Sequence, residues 1–357
     1  MTQLKRFQEA MSSLDADAAI ISSQLNIRYL SGFDYTDGYL LILPHRAYLL
    51  ADFRYIEAAR SAVSDFEVLI PEGDMLSELK LLLAINGAKV IAVEDAHLSL
   101  AAYSKLSDAL GDVTLSTGAS NLLCDLRSVK LDYELELIEK AQSITDAAFE
   151  HILGFITPER TELEVALELE FFMRRMGAEA VAFDTIAVSG ASSSLPHGVP
   201  QDKKLSRGFL TMDFGARYCG YCSDMTRTVV IGKADDDMKK IYNTVLSAQT
   251  AVLEGIHAGM SCRDADKLAR DVISAAGFGK CFGHSLGHGV GMYIHESPSL
   301  SPRAKDSAIL RPGNVVTVEP GIYIQGKYGC RIEDMITITP SGSLRNFTKS
   351  SKRIIEI

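Results

Sequence analysis

Apolar and polar positions in the first 125 residues alternate between a helical spacing and the spacing of short strands. The run LKRFQEAM has helical spacing, and further helical segments are predicted near 54–63, 74–86 and 99–109. Among them stand the short apolar runs DAAIISS, YLLILP, AYLLAD and KVIAVED, which have the length of buried strands. Strands that alternate with helices predict a small α/β domain with a mixed sheet over residues 1–125.

Residues 126–357 begin with a predicted pair of helices. Apolar residues recur with helical spacing over 133–155. Thr161 and Glu164 form a capping box, which predicts the start of a second helix that runs to about Met176. Three strand-like runs follow, AFDTIAVSG, GFLTMDFGA and CSDMTRTVVIG.

The same order is then repeated. Two helices are predicted near 235–256 and 262–276, the second with Ser261 and Asp264 at capping spacing. The strand-like runs GNVVTVEPGIYI, CRIEDMITITP and SKRIIEI complete the chain. The repetition predicts two similar halves joined into one α+β domain over residues 126–357, with their strands in a shared curved sheet.

Composition and charge narrow the possible partners. The chain has 357 residues, 47% of them hydrophobic and 23% charged, which is typical of a globular protein with two domains. Its formal net charge of −10 argues against a nucleic-acid partner. Its apolar runs are too short for a membrane helix, and the start of the chain does not have the pattern of a signal peptide. We therefore expect no nucleic-acid partner and no membrane insertion.

The six cysteines are sparse and irregularly placed, which favours a reduced, cytoplasmic protein over a disulfide framework. Cys219 and Cys222 form a C-x-x-C motif, but the sequence has no second pair to complete a zinc site. A structural role is favoured for both residues.

The stretch GHSLGHGVGMYIHE, residues 283–296, can be interpreted in two ways. Its first half matches the G-x-S-x-G motif of serine hydrolases, in which Ser285 would be the nucleophile. That motif needs a strand before the serine and a helix after it, whereas this serine is flanked by glycine-interrupted runs. No acidic residue lies between Ser285 and the later His288 or His295, so the hydrolase order of residues is absent from the sequence. The histidines are therefore the better candidates for chemistry, and the glycines would let the backbone approach a ligand closely.

Several carboxylates occupy apolar strand-like runs, where they are costly unless paired or bound to metal. A two-residue turn near 218–220 would pair the strands that carry Asp213 and Asp224, and would place both on one face, opposite or diagonal to each other. Glu319 lies in VVTVEPGIYI and Glu333 in CRIEDMITIT, both predicted strands. Together with His288, these oxygen ligands suit Mn²⁺, Co²⁺ or Zn²⁺. Two ions with bridging carboxylates would balance the negative charge better than one, and would activate a water molecule for hydrolysis.

Taken together, MDFGARYCGYCSDMTRT, GHSLGHGVGMYIHE, VEPGIYI and RIEDM resemble the pita-bread metallopeptidases, and within them the Xaa-Pro branch of aminopeptidase P and prolidase. The resemblance implies an α+β pita-bread (creatinase/aminopeptidase-like) catalytic domain. It implies that Asp213 binds one metal ion and that His288 and Glu319 bind the other. Asp224 and Glu333 would bridge the two ions.

The first part of the chain is similar to the smaller creatinase-type N-terminal domain of this family. SSQLNIRYLSGF and ADFRYIEAA carry the likeness, at Asn26, Tyr29, Asp52, Arg54 and Tyr55. Maintenance of the fold is the favoured role for these five residues.

The resemblance also implies roles for residues outside the ligand set. His197 in LPHGVP would contact the substrate near the scissile bond, and His284 would line the pocket near the substrate's proline. His295 would hydrogen-bond the substrate carbonyl and the developing tetrahedral intermediate. Tyr323 would hydrogen-bond near that intermediate, and Arg331 would orient a ligand carboxylate.

The implied reaction is hydrolysis of the bond before a proline in the second position of a peptide. Metal-activated water would attack the carbonyl of the first residue, and Glu319 would relay the proton to the proline nitrogen. The resemblance implies two divalent ions per subunit, with Mn²⁺ favoured and Co²⁺ or Zn²⁺ as alternatives, and a homodimer. Aminopeptidase and dipeptidase activities stay open, because the sequence does not show which residues would close the pocket beyond the proline.

Three rivals on the same fold are less favoured. Methionine aminopeptidases usually lack a domain like residues 1–125. Creatinases do not keep the metal ligands, and non-catalytic binding proteins have typically lost them. All five predicted ligands are present in this sequence.

Overall fold

A computed structural model describes residues 2–339 and 341–357. The chain divides into two compact units, Met1–Arg127 and Ser128–Ile357, which are called the N-terminal and C-terminal units. The domain boundary between residues 125 and 126 stays a prediction. Within the described ranges, no helix combines the length and the apolar character needed to cross a bilayer.

The first part of the chain alternates helices and strands. Its helices are α1 (Gln3–Ala10), α2 (Gln24–Ser31), α3 (Ile56–Ala62), α4 (Met75–Ile85), α5 (Leu100–Leu110) and α6 (Ala119–Ser128). Its strands are β1 (Ala18–Ile21), β2 (Tyr39–Leu43), β3 (Arg46–Leu50), β4 (Glu67–Leu69), β5 (Val90–Val93) and β6 (Thr114–Ser116). The helices predicted near 54–63, 74–86 and 99–109 are α3, α4 and α5, while α2 and α6 were not predicted as helices.

The described strands of the N-terminal unit form one sheet with the order β4-β3-β2-β1-β5-β6. The pairs β1–β2 and β2–β3 are antiparallel, and the other pairs are parallel. The predicted mixed sheet is therefore confirmed. Ile20, Leu41 and Leu50 from the sheet pack with Leu79 of α4 and Leu106 of α5 in one apolar cluster, because burial of these side chains removes them from water.

The family marks of the N-terminal unit take part in local hydrogen bonding. The Asn26 amide donates to Glu94 Oε1 at 2.6 Å, and the Arg127 guanidinium donates to the Asn26 side-chain oxygen. Arg54 binds the Asp52 carboxylate with two nitrogens, at 2.9 Å from Nε and 2.6 Å from NH2 to Oδ2. These contacts support the fold of the N-terminal unit.

The C-terminal unit contains two pairs of long helices, each followed by strands. The helices are α7 (Asp132–Leu153), α8 (Glu162–Arg175), α9 (Asp236–Gly255) and α10 (Cys262–Ala275). The strands before α9 are β7 (Ala180–Val181), β8 (Ile186–Ser189), β9 (Gly208–Phe214), β10 (Ala216–Tyr218), β11 (Tyr221–Cys222) and β12 (Met225–Ile231). The strands after α10 are β13 (Gly287–Gly289), β14 (Glu296–Leu300), β15 (Val315–Val318), β16 (Gly321–Ile324), β17 (Tyr328–Arg331), β18 (Asp334–Ile338) and β19 (Leu344–Asn346).

The capping residues predicted from the sequence start their helices. Thr161 Oγ1 accepts from the Glu164 N–H at 3.1 Å, and the Glu164 carboxylate accepts from the Thr161 N–H at 2.8 Å. This reciprocal pair is the predicted capping box, and it begins α8. At α10, Ser261 Oγ accepts from the Asp264 N–H at 3.0 Å. Local sequence therefore fixes where both helices begin.

The expectation of one shared sheet in the C-terminal unit is wrong. Its described strands form three ladders, β11-β10-β7, β12-β9-β8 and β14-β13-β15-β18-β19, and a hairpin of β16 and β17. The runs GNVVTVEPGIYI and CRIEDMITITP are each split into two strands, β15 and β16 in the first and β17 and β18 in the second. Pro320 has no N–H to donate to a ladder, so the first run cannot continue as one strand. The SKRIIEI segment is also not a strand, although Glu356 forms an isolated bridge with Val230.

Each helix pair has its own apolar core. One cluster packs Phe149 of α7 and Leu169 of α8 against Leu210 of β9 and Val229 of β12. The second cluster joins α9 and α10 to the later strands through residues such as Val245, Ala269, Val316 and Ile336. The two predicted halves therefore correspond to two separately packed layers of helices, and the strands between them carry the candidate site.

Candidate metal centre

A two-residue turn sets the positions of the first two carboxylates. Cys219 and Gly220 have φ angles of 47° and 89°, as a tight primed hairpin turn requires. The turn pairs Asp213 of β9 with Thr226 of β12, so Asp224 lies diagonal to Asp213. Of the two registers that the sequence left open, the structure has the diagonal one. Cys219 and Cys222 are both free thiols, and Cys219 lies in the turn.

Glu319 and Glu333 lie at interruptions between strands, and the prediction that they lie within strands is wrong. Glu319 follows β15 and precedes Pro320, while Glu333 separates β17 from β18. Their backbone N–H groups remain bonded, that of Glu319 to Leu286 O at 2.9 Å and that of Glu333 to Thr226 O at 3.1 Å. The interruptions therefore direct both side chains without leaving a buried N–H unpaired.

His288 lies in the middle of the short strand β13 between two glycines. A Cβ at Gly287 would lie 2.1 Å from Thr317 O, and one at Gly289 would lie 2.3 Å from Ser297 O. The glycines thus permit close approach to the neighbouring backbone of the protein itself. His288 Nδ1 lies 3.1 Å from its hydrogen-bond partner Gly289 O. That bond assigns the proton to Nδ1 and leaves the lone pair of Nε2 available for a metal ion.

The side chains of Asp224, His288 and Glu333 form a compact ligand set. Each contributes one ligand atom, and these atoms lie within 4.8 Å of one another. His288 Nε2 is 3.5 Å from Asp224 Oδ2 and also 3.5 Å from Glu319 Oε1. The Glu333 Oε2 atom accepts a hydrogen bond from Thr226 Oγ1 at 2.7 Å. Carboxylate and imidazole ligands gathered in this way suit divalent cations.

The buried negative charge of the carboxylate cluster would be stabilised by a bound cation. Burial, followed by the charges of Glu333, Asp213 and Glu319, raises the pKa of Asp224 well above its usual value. Burial and the neighbouring charges of Glu319 and Asp213 raise the pKa of Glu333 in the same direction. Burial also raises the pKa of Glu319 to about 8. Since several buried carboxylates cannot all ionise without compensation, the residues present fit divalent metal ions.

Asp213 lies beside this cluster and is held by a buried arginine. Arg331 NH2 donates to Asp213 Oδ2 at 2.6 Å. Asp213 Oδ1 is buried and, among the described residues, has no hydrogen-bond partner. A buried carboxylate oxygen without a donor is a suitable position for a metal ligand. Arg331 also donates from NH1 to Tyr323 OH at 2.7 Å and from Nε to Thr226 Oγ1 at 2.9 Å.

A cavity of about 730 Å³ contains the cluster and the other predicted site residues except Tyr323. Its lining includes Asp213, Asp224, His288, Glu319, Glu333, Arg331, His197, His284 and His295. Tyr323 is not a lining residue, but its hydroxyl contacts two of them. It accepts from Arg331 NH1 and lies 3.0 Å from His284 Nε2. Apolar walls from residues such as Phe183, Ile186 and Ile294 face the same space. The structure thus brings residues from widely separated parts of the chain to one cavity.

The surroundings of His284, His288 and His295 lower the pKa values of these three imidazoles. Burial lowers the pKa of His288 to about 4, with a further contribution from His295. Burial, and then the charge of Arg331, lowers the pKa of His284 to about 4. The His295 ring lies 4.3 Å from the His288 ring, and burial together with His197 lowers its pKa. Neutral imidazoles can both donate and accept hydrogen bonds to a peptide.

The surroundings of Ser285 do not support a nucleophile elbow. The adjacent His284 uses Nδ1 for the Ser285 carbonyl oxygen at 2.8 Å and Nε2 for Tyr323 OH. Ser285 precedes the strand β13 and is not followed by a helix. Both ring nitrogens of His284 are therefore already hydrogen-bonded. The strand-turn-helix arrangement of the motif is not present in residues 279–296.

Several residues that support the cluster were missed from the sequence. Thr226 Oγ1 donates to Glu333 and accepts from Arg331, so it joins a carboxylate ligand to the arginine. Thr317 Oγ1 lies 3.2 Å from Glu319 Oε1 and accepts from the His288 N–H at 3.0 Å. The buried Arg227 donates from NH1 to the Glu333 carbonyl oxygen. Threonines and arginines in strands are common, and only their partners in space distinguish these three.

A buried cluster of carboxylates and one imidazole in a cavity is typical of metal-dependent hydrolases. The chain belongs to metallopeptidase family M24, whose model matches residues 136–340, and it is a hydrolase. The model of the Creatinase/Prolidase N-terminal domain matches residues 3–129. These matches confirm the predicted pita-bread catalytic fold and the creatinase-type N-terminal domain.

Known proteins are similar over nearly the whole chain. The Bacillus subtilis (strain 168) protein described as "Uncharacterized peptidase YqhT" is 44% identical over 99% of both chains. The solved structure of an Xaa-Pro dipeptidase from Bacillus anthracis is 42% identical, with a TM-score of 0.95 and 99% of each chain covered. The X-Pro aminopeptidase from Thermotoga maritima MSB8 is 37% identical, with a TM-score of 0.92 and coverage of 98% of this chain and 100% of its own.

Proposed function

We propose that this protein hydrolyses the peptide bond between an N-terminal residue and a proline in the second position. One observation carries the proposal: the cavity combines a buried carboxylate and imidazole cluster with three further histidines, His197, His284 and His295. Membership of metallopeptidase family M24 supports peptide hydrolysis. The similar Xaa-Pro dipeptidase and X-Pro aminopeptidase structures support proline in the second position.

The metal ligands in this proposal are five side chains. Asp213 would hold one divalent ion, and His288 with Glu319 would hold the second. Asp224 and Glu333 would hold both, which agrees with their place at the centre of the cluster. When bound, the ions supply the positive charge that polarises the scissile carbonyl and activates a water molecule. Metal content per chain in Asp224→Asn, compared with Asp184→Asn at the cavity wall, tests this assignment.

Glu319 is the group that moves the proton. Its Oε1 is occupied by Thr317 Oγ1 at 3.2 Å, which leaves Oε2 to accept the proton of the attacking water. When ionised, this carboxylate can accept the proton of the water, and the proton then passes to the proline nitrogen.

The histidines and Tyr323 position the peptide. His295, next to His288, donates to the carbonyl oxygen as negative charge develops on it. His197 and His284 line the cavity, where His197 would contact the peptide beside the scissile bond and His284 would lie near the proline. Tyr323 is fixed between His284 and Arg331, with a pKa raised by burial to about 12, so it stays a neutral hydroxyl near the intermediate.

The charge of the cavity supports substrates that extend beyond the proline. Among the described residues that line the cavity, Arg331 is the only lysine or arginine. Its nitrogens are already bonded to Thr226, Tyr323 and Asp213. A free proline carboxylate would therefore have no uncommitted guanidinium or ammonium partner from this lining. An amide at that position needs none, which favours an aminopeptidase over a strict dipeptidase.

Three finer points belong to the same proposal. We propose Mn²⁺ as the native metal, with Co²⁺ or Zn²⁺ as alternatives, because oxygen and imidazole ligands suit these ions. We propose a homodimer on the family resemblance, which light scattering of the purified protein would test. The six cysteines, all described as free thiols, support a reducing, cytoplasmic location.

A release assay tests the activity and the peptide length together. Ala-Pro and Ala-Pro-Ala are incubated with the protein after dialysis against chelator and addition of Mn²⁺, Co²⁺ or Zn²⁺. We expect release of alanine from Ala-Pro-Ala, and weaker or no release from Ala-Pro. Release from Ala-Pro alone would assign a dipeptidase. Absence of turnover of both peptides with every metal would refute the proposed function.

A further inference from the structure

The loop that carries His197 is tied at both ends to one buried carboxylate outside the cavity. Glu162 is the first residue of α8, and its side chain is fully buried. Glu162 Oε1 accepts from the Ser189 N–H at 2.7 Å and from Ser189 Oγ at 2.9 Å. Its other oxygen, Oε2, accepts from the Gln201 N–H at 3.2 Å. One carboxylate therefore joins the residue before the segment 190–200 to the residue after it.

This segment, which we call the His197 loop, forms one wall of the cavity. Residues 196–200 all line the cavity. The Pro196 carbonyl oxygen accepts from Arg331 NH1 at 3.4 Å, so the loop also contacts the arginine that holds Asp213. Movement of the loop would therefore displace His197 relative to the metal ligands.

Apolar packing holds the loop only in part. Ser193, Ser194 and Gly198 are buried, but Leu195 and Val199 are 58% and 70% exposed. Polar contacts at the ends therefore take a large share in setting its position. Lys203 strengthens them, since its Nζ lies 3.3 Å from Glu162 Oε1 and donates to Ser192 Oγ at 2.6 Å. Hydrogen bonds to a charged group are stronger than those between neutral groups. Loss of a hydrogen bond to a buried charged group is also costly, because the group cannot bond to water instead.

We infer that Glu162 is a positioning residue for the reaction, which acts by holding the His197 loop against the substrate cavity. The inference rests on the proposed function, because it gives His197 a contact with the peptide. Glutamine at position 162 would have nearly the same size and shape. However, its NH2 group would face one of the backbone N–H groups from which the carboxylate now accepts, so the side-chain hydrogen bond at one end of the loop would be lost.

A matched control lies on the same turn of helix. Glu164 also binds the start of α8, through the Thr161 N–H, but it does not contact the His197 loop. Glu162→Gln and Glu164→Gln are therefore compared for kcat and KM on Ala-Pro-Ala, for metal content and for thermal unfolding. We expect Glu162→Gln to lower kcat/KM about tenfold, with unchanged metal content, and Glu164→Gln to change it less than about twofold.

The decisive measurement is a double-mutant cycle with His197→Ala. If Glu162 acts through the loop, Glu162→Gln should cost less than about twofold once His197 has been removed. Equal effects of the two glutamine variants, or an undiminished loss in the His197→Ala background, would overturn the inference. A wild-type protein that cleaves neither proline peptide would instead refute the proposed function.

A milder variant covers the case in which Glu162→Gln does not fold. Ser189→Ala removes the hydroxyl bond to Glu162 Oε1 and the acceptor of the Ser206 N–H, but keeps the backbone bond to Glu162 Oε1. We expect a loss of about threefold in kcat/KM, again dependent on His197. A loss that is the same with and without His197 would count against the positioning role.

Discussion

Arg331 NH2 donates to Asp213 Oδ2 at 2.6 Å, and the two side chains are only 4% and 14% exposed. The same guanidinium binds Tyr323 and Thr226, and Thr226 in turn donates to Glu333. One buried cation thus connects two predicted metal ligands and a tyrosine at the cavity. Because the planar guanidinium donates to three partners at once, the arrangement depends on the geometry of arginine and not simply on its positive charge.

Replacement of Arg331 by lysine should therefore be damaging. A lysine keeps the charge but cannot bind Asp213, Tyr323 and Thr226 in the same geometry, so we expect kcat/KM on Ala-Pro-Ala to fall by about tenfold or more. Arg345→Lys provides the control, since Arg345 forms a partly exposed ion pair with Glu139. Equal activities of the two variants would show that Arg331 acts only through its charge.

The stability of the metal-free protein should fall as pH rises from about 7.5 to about 8.5, through the raised pKa of Glu319. Burial raises the pKa of Glu319 from 4.5 to about 8, so in this window the native state binds a proton that the unfolded state has lost. Unfolding is then favoured as pH rises, by up to about 1.4 kcal/mol per pH unit from this group. His284 and His288, with pKa values lowered from 6.5 to about 4, oppose this trend near pH 6.5, but above about pH 7.5 they are largely uncharged in both states.

Thermal unfolding in chelator at several pH values measures this effect, with Glu319→Gln as the control. The variant should show a flatter dependence, because the titrating group is gone. Saturating Mn²⁺ should restore stability, and more so at higher pH, since metal binding displaces the protons. A melting temperature of the metal-free protein that rises between pH 7.5 and 8.5 would contradict the prediction.

Ser285 and His288 should differ sharply in their effects. Ser285→Ala should keep most of the activity, because His284 is bonded to other groups and is not available to activate the serine. His288→Ala should lose most of the activity and part of the bound metal, as a ligand of the central set is removed. Steady-state kinetics and metal analysis of both variants check this. An inactive Ser285→Ala protein with full metal content would require the serine hydrolase interpretation to be reconsidered.

A buried ion pair next to the cluster should be important for stability. Arg227 NH2 and Asp334 Oδ1 are 2.8 Å apart, and both side chains are 1% exposed. Asp334→Ala would leave the guanidinium without its carboxylate, at a cost of about 3–5 kcal/mol in the free energy of unfolding. Lys267→Ala, which breaks the exposed pair with Asp271, should cost less than about 1 kcal/mol. Denaturant unfolding of both variants gives the comparison.

Much of the local structure was predictable because its causes are local. The capping pairs at Thr161 and Ser261 start their helices through bonds that span three residues. Helical spacing of apolar residues identified α7 to α10, since each has one face in a core. The hairpin between Asp213 and Asp224 was predicted to within one choice of register. The left-handed turn at Cys219 and Gly220 made that choice.

Long apolar runs were misleading where the chain leaves the sheet. The segments around Glu319 and Glu333 have the composition of continuous strands, but both are interrupted at the carboxylate. Their apolar residues are buried on both sides of each interruption, so the pattern of hydrophobicity does not change there. The short helix α2 was missed for a different reason, because its eight residues are too few to show helical spacing over several turns.

The sequence by itself determined the types of element, the set of candidate ligands and the family, because these depend on residue types and on their spacing along the chain. Only the tertiary structure decided which side chains meet. Thr226 joins Glu333 to Arg331 across more than a hundred residues of chain, and Glu162 holds the His197 loop from outside the cavity. Such contacts follow from the packing of whole elements, and no local pattern of residues records them.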